Sequence, residues 1–182
     1  MKYTVEEIQK KHETDERLKY LFFWGHTPAK NGEITKSCLS QWWESEFEID
    51  GITYQSAEQF MMSEKARFFN DRKSRDLILE SSHPKQAKDL GRKVVGFDEE
   101  IWKNERYNIV KRGNFAKFSQ DERLKEFLLQ TGNRILVEAS PVDHIWGIGM
   151  AVDDKDVENP LKWRGLNLLG FALMDVREGL KK

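Results

Sequence analysis

The stretch "YQSAEQFMMSEKARFF", Tyr54 to Phe69, decides how the chain is read, because it looks like a helix with two opposite charges on its apolar side. Ser56 is suited to N-cap the helix, and Gln59, at its third position, completes a capping-box pattern. No breaker follows before Asn70. Each helical residue advances about 100° around the axis, so with Glu58 at zero, Lys65 falls near −20° and shares a sector with Met61, Met62 and Phe69. Gln59, Ser63, Glu64 and Arg67 are expected on the opposite, polar side. A carboxylate at the second helical position gains from the helix dipole whatever else it does. An ammonium on an apolar face is harder to accommodate: it must snorkel out, find a carboxylate or release its proton. About 10 Å of helix rise separates the two residues, which suits two groups reaching into one ligand cavity better than a direct salt bridge.

Working outward, the predicted fold is mainly α, compact and single-domain, with a few short strands. "EFEIDGITY" (46–54) reads as a hairpin whose Asp50-Gly51 pair forms a type I′ turn and leads into the Ser56 helix. Upstream, residues 4–19 carry the pattern of a surface helix, followed by a buried strand in "YLFFW". Downstream, residues 70–80 and 84–93 read as two short helices, Asp98 N-caps a longer one, and 121–130 is a further helix closed by Gly132. "RILVEAS" (134–140) is a strand, and the last helix runs from about Asn167 to Leu180, with Gly170 permitting close approach of another backbone. The βαβ alternation of a dinucleotide-binding fold is absent. The expected organisation is one globular unit, residues 1–19 being an N-terminal helix and 20–182 the body.

Composition narrows the function classes. Thirty Lys and Arg against thirty-one Asp and Glu give a net charge of −1, so no bulk field draws the protein to nucleic acid or a membrane, although a local basic site is compatible with this balance. The apolar run "LLGFALM" (168–174) is too short to span a bilayer, and the N-terminus lacks a secretion-signal pattern; a cytoplasmic protein is expected. A single cysteine, Cys38, rules out an internal disulfide. The four histidines show no ligand spacing, so neither a metal nor a cofactor is expected. Six Trp, eleven Phe and four Tyr are many for a polar chain, and tryptophans beside Gly or Asn suit stacking on a planar ligand.

Two further clusters carry chemistry. In "VEASPVDHIWGIG" (137–149), Ser140 and Asp143 have capping-box spacing around Pro141, which explains them structurally. Alternatively, Glu138 and Asp143 bring carboxylates to a loop where Trp146 offers a stacking face and Gly147 a bare backbone, a combination suited to a sugar or nucleobase. In "RGLNLLGFALMDVRE" (164–178), Asn167 is a natural N-cap, and Asn with Arg at a helix start also suits a phosphate or ribose hydroxyl.

Four ordered blocks, "YQSAEQFMMSEKA", "WKNERYNIVKRGNFAKF", "LVEASPVDHIWGIG" and "LNLLGFALMDVRE", resemble the YbiA/NADAR family of N-glycosidases over roughly residues 20–178. The resemblance implies hydrolysis of a bond between ribose and a nitrogen base. The resemblance implies one of two substrates: ADP-ribose on modified guanine bases in nucleic acid, or a phosphorylated ribosylamino-pyrimidine of riboflavin synthesis. The long lead-in "FFWGHTPAKNGEITKSCLSQWW" is similar to the NADAR branch and favours the ADP-ribosyl substrate. With that resemblance, Glu58, Lys65 and Asp143 are the expected catalytic residues, and Trp24, Gly25, Trp102, Glu138, Trp146, Gly147 and Asn167 the expected substrate-binding ones. A silent ADP-ribose-binding module and a protein-interaction domain with a buried charge network are the competing readings.

Overall fold

In a computed structural model, the chain is described over residues 2–14 and 16–181. It divides into two compact units, Met1–Ser40 with Lys125–Lys182, and Gln41–Leu124. Among the described residues there are seven α-helices and two two-stranded sheets, and no helix is long and apolar enough to cross a membrane.

The unit Gln41–Leu124 is built around one helix. β2 (Glu44–Ile49) and β3 (Ile52–Ser56) form the expected hairpin. Asp50 and Gly51 both have positive φ, 53° and 76°, as a type I′ turn requires. β3 passes directly into α2 (Ala57–Phe68), where the Ser56 side chain accepts from the Gln59 N–H as predicted. The box does not close on Ser56, however: Gln59 Oε1 accepts the N–H of Gln55. Of the expected polar face of α2, only Arg67 is exposed. β3, α3 (Arg72–Leu79), α4 (Pro84–Gly91) and α5 (Glu99–Gln120) all pack against the helix, so Gln59, Ser63 and Glu64 are buried along with Phe60 and Met61. Gln59 meets the demand of burial by donating its amide to the carbonyls of Ile78, Leu79 and Ser81. Phe60 forms edge contacts with Tyr54 and Phe47, at centroid separations of 5.0 and 6.2 Å, and fits against Gly113 of α5, where a Cβ would lie 2.4 Å from its ring.

In the other unit, β1 (Tyr20–Phe23) pairs in parallel with β4 (Ile135–Glu138), Tyr20 opposite Ile135 and Phe23 opposite Glu138. α1 (Val5–Glu13) opens with a Thr4–Glu7 capping box and is shorter than predicted. Residues 16–19 are not helical, and Asp15 lies outside the described residues. α6 (Glu122–Gln130) contains the boundary between the units, and α7 (Leu168–Leu180) packs on β4. The close approach expected at Gly170 is present: a Cβ there would sit 2.1 Å from the Leu136 carbonyl oxygen. Backbone cannot yield as a flexible side chain can, so Gly170→Ala is expected to lower unfolding free energy by about 2–3 kcal/mol in denaturant titration. A loss under about 0.5 kcal/mol would show that this contact is looser than it looks.

Candidate functional site

Glu58 is the second residue of α2 and only 3% exposed. Its backbone N–H donates to the Gln41 carbonyl at 2.9 Å. Gln41 is held in turn by α5: its Oε1 accepts from Asn114 Nδ2 at 2.7 Å, and the same Asn114 nitrogen reaches the Val110 carbonyl at 2.9 Å. Both amides are buried, and among the described residues Gln41 Nε2 and Asn114 Oδ1 have no hydrogen-bond partner, which leaves one donor and one acceptor to be met by water or ligand. Neither residue was singled out in the sequence, since 73 positions separate them and no local pattern joins them.

Lys65 follows on α2 two turns later and is half-buried. It satisfies its charge in a way the sequence reading did not consider. Its Nζ lies 3.7 Å from the centroid of the Phe97 ring, and among the described residues it makes no ion pair with a carboxylate. Burial pushes its pKa below the ordinary lysine value, and the charge of Glu99 opposes that shift. Phe97 immediately precedes the N-cap Asp98, the position where an apolar residue commonly staples a helix start; that was the available signal, and here the ring serves Phe69 and Lys65. Trp102, on α5, is 6% exposed and therefore set in the interior. Further along α5, Lys117 is 1% exposed, a buried cation that sequence reading noticed only as part of a motif.

In the other unit, the capping-box spacing of Ser140 and Asp143 does not start a helix. Residues 141–150 are an irregular loop, and Asp143 Oδ1 instead accepts from Ile145 N at 2.9 Å and Trp146 N at 2.7 Å, a local turn that fixes the half-buried Trp146. The bareness of Gly147 is used by the chain itself: a Cβ there would lie 2.8 Å from the Glu138 carbonyl and 3.1 Å from that of Asp143. Gly147 is buried, and the close backbone approach expected of a ligand is made here by the protein.

Asn167 also departs from its predicted role. It occupies the N-cap position of α7 in left-handed conformation, φ 51°, and makes no side-chain cap. Its side chain instead clamps β4, accepting from Glu138 N at 3.0 Å and donating to the Leu136 carbonyl at 2.9 Å. The N–H groups at the start of α7 bond to loop carbonyls, Asn167 to Gly147, Leu168 to Ile145 and Leu169 to Trp146. That occupancy removes the reason to expect an anion at this helix start. Glu138, Asp143, Trp146, Gly147 and Asn167 are thus one connected assembly at the end of β4. Trp24 is 58% exposed just beyond β1, and Gly25 has φ 79° with open space around it.

The NADAR domain family matches residues 22–181. An N-glycosidase of Acanthamoeba polyphaga mimivirus is 42% identical over 171 residues, covering 91% of this chain and 97% of its own. The N-glycosidase YbiA of Shigella boydii is 30% identical over 132 residues, 72% of this chain and 74% of that one. The NMR structure of E. coli YbiA superposes with a TM-score of 0.72 at 25% identity, covering 90% of this chain and 85% of that one. A match across nearly the whole sequence, with the backbone arrangement of a solved relative, shows that the chain belongs to the NADAR domain family.

Proposed function

We propose that this enzyme, a hydrolase of N-glycosyl bonds like its relatives, cleaves the bond between a ribose and a nitrogen base, and that ADP-ribose on a modified guanine is its substrate. The observation that carries this reading is the pairing on one helix of a buried carboxylate, Glu58, with a half-buried amine, Lys65, that makes no ion pair among the described residues.

Departure of a base from C1 of ribose leaves positive charge on C1 and the ring oxygen, and a nearby carboxylate stabilises that charge. Glu58 fills this role and orients water. Lys65 supplies a nucleophile. In a ribosylamine, the bond from C1 to the ring oxygen opens to give an imine; the neutral Lys65 amine adds to C1, and the base leaves as its amine, taking a proton. Water then adds to the Lys65 imine, releasing the ribose aldehyde and restoring the lysine, so that one water is consumed per bond broken. Desolvation favours this route because it enlarges the fraction of neutral amine near neutral pH. The aromatic face of Trp146 is of the kind on which a nucleobase stacks.

A second substrate is favoured by one specific likeness. The chloroplastic riboflavin biosynthesis protein PYRR of Zea mays is 30% identical over 135 residues, although these are only 20% of its length. The test is to incubate the purified protein separately with DNA carrying ADP-ribosylated guanine and with phosphorylated ribosylamino-pyrimidines, and to follow base release by mass spectrometry. Release from the guanine adduct is expected. Release from the pyrimidines alone would move the assignment to riboflavin intermediates, and tight binding without release from either would indicate a binding module.

A further inference from the structure

A groove of about 790 Å³ lies in the unit that contains α1, α7 and β4. It borders the last turns of α7 and the start of β4, the opposite end of this helix and strand from the Glu138–Trp146–Asn167 assembly. The helix rise from Asn167 to Arg177 is about 15 Å. Six basic residues line it: Lys11, Arg17, Lys19, Arg134, Arg177 and Lys181. Among the described residues only two acidic ones line it, Glu16 and Glu178, and Glu178 already receives hydrogen bonds from Lys2 and Tyr3. The even charge of the whole sequence conceals this local excess.

Among the described residues, none of the six cations makes an ion pair with a carboxylate. Arg134 donates to the carbonyls of Thr131 and Gln130 at 2.9 and 3.0 Å. Arg177, 3% exposed, donates from Nη1 to the Thr131 hydroxyl at 2.7 Å and the Arg134 carbonyl at 2.9 Å, while its Nε has no partner. Burial disfavours the Arg177 charge, Tyr3 and Glu178 support it and Arg134 opposes it, so a buried guanidinium with an unpartnered Nε gains from a further anion. Among the described residues the only aromatic ring lining the groove is Tyr3, and it stacks on Phe171 and bonds Glu178. The groove therefore has charges to meet phosphates but no free face on which to stack a base.

We propose that this groove is a phosphate-binding site, distinct from the residues assigned to bond cleavage, which takes the phosphate groups of a free nucleotide or of a nucleic-acid strand. The test uses the full chain, a fluorescently labelled single DNA strand of about 15 nucleotides read by anisotropy, and inorganic pyrophosphate read by calorimetry. Binding that weakens as salt rises is expected, and Lys19→Glu with Lys181→Glu, both exposed positions, should weaken it at least about tenfold. Turnover of a small ribosylamine substrate should be unchanged in that double variant, which also verifies its folding. Pyrophosphate binding that displaces the strand identifies a compact phosphate site; strand binding that pyrophosphate does not displace identifies an extended backbone site. No binding of either probe, or equal affinity in wild type and double variant, would overturn the proposal.

Discussion

Glu58→Gln is expected to lower kcat on the ribosyl substrate by about 10²–10³-fold, the loss that follows removal of one group aimed at transition-state charge. Gln conserves size and hydrogen-bonding reach but cannot offset positive charge at C1. KM should move little, because the lost interaction strengthens only as the bond breaks. Stability should change by no more than about 1 kcal/mol, since the substitution forfeits a dipole interaction at the helix start while relieving burial of a charge. Kinetics and thermal unfolding on the same preparation separate this from a structural role. A protein with normal turnover per folded molecule and a large drop in Tm would mean that Glu58 serves the core alone.

Lys65→Met is expected to remove more, at least about 10³-fold in kcat, as deletion of a nucleophile does. Met keeps the aliphatic stem beside Phe97 and removes only the amine, so the fold should be retained. The pH dependence of the wild type carries the same information. The reacting form is the neutral amine, so kcat/KM should rise with pH through the pKa of Lys65, and burial places that limb below 10.5. Glu99 favours the ammonium, so Glu99→Gln, which keeps an acceptor for its partner Arg106, should move the limb to lower pH. A limb that stays put or moves up would contradict the assignment of Lys65 as nucleophile.

What the sequence made legible was local. The hairpin could be read because Asp50-Gly51 encodes two positive φ angles, and the helix starts because Ser56 and Asp98 are caps within three residues of the N–H groups they accept. Gly170 was recognisable because only a bare Cα allows α7 to meet the Leu136 carbonyl. The misreadings share a cause, which is competition from groups distant in sequence. A wheel assumes one dry face and one wet one, whereas α2 is covered by four elements and has no wet face for Gln59 or Glu64. The cap preference of Asn167 says nothing about β4, whose backbone took the side chain instead.

The candidate site divides in the same way. Glu58 was found inside, as its place on the wheel required, while Lys65 is half-buried under a ring that no helical periodicity relates to it. The Gln41–Asn114 pair and the buried Lys117 had no local signature. In the Asp143 loop the spacing of Ser140, Pro141 and Asp143 suits a helix start and an irregular turn equally well, and the side chain of Asp143 caps the turn at Trp146.

Borohydride reduction during turnover, followed by mass mapping of the peptide that contains Lys65, tests the central claim most directly. A ribose-derived adduct on Lys65, absent without substrate and absent in Lys65→Met, is the predicted result. Full turnover with no adduct, or an adduct confined to another lysine, would contradict it.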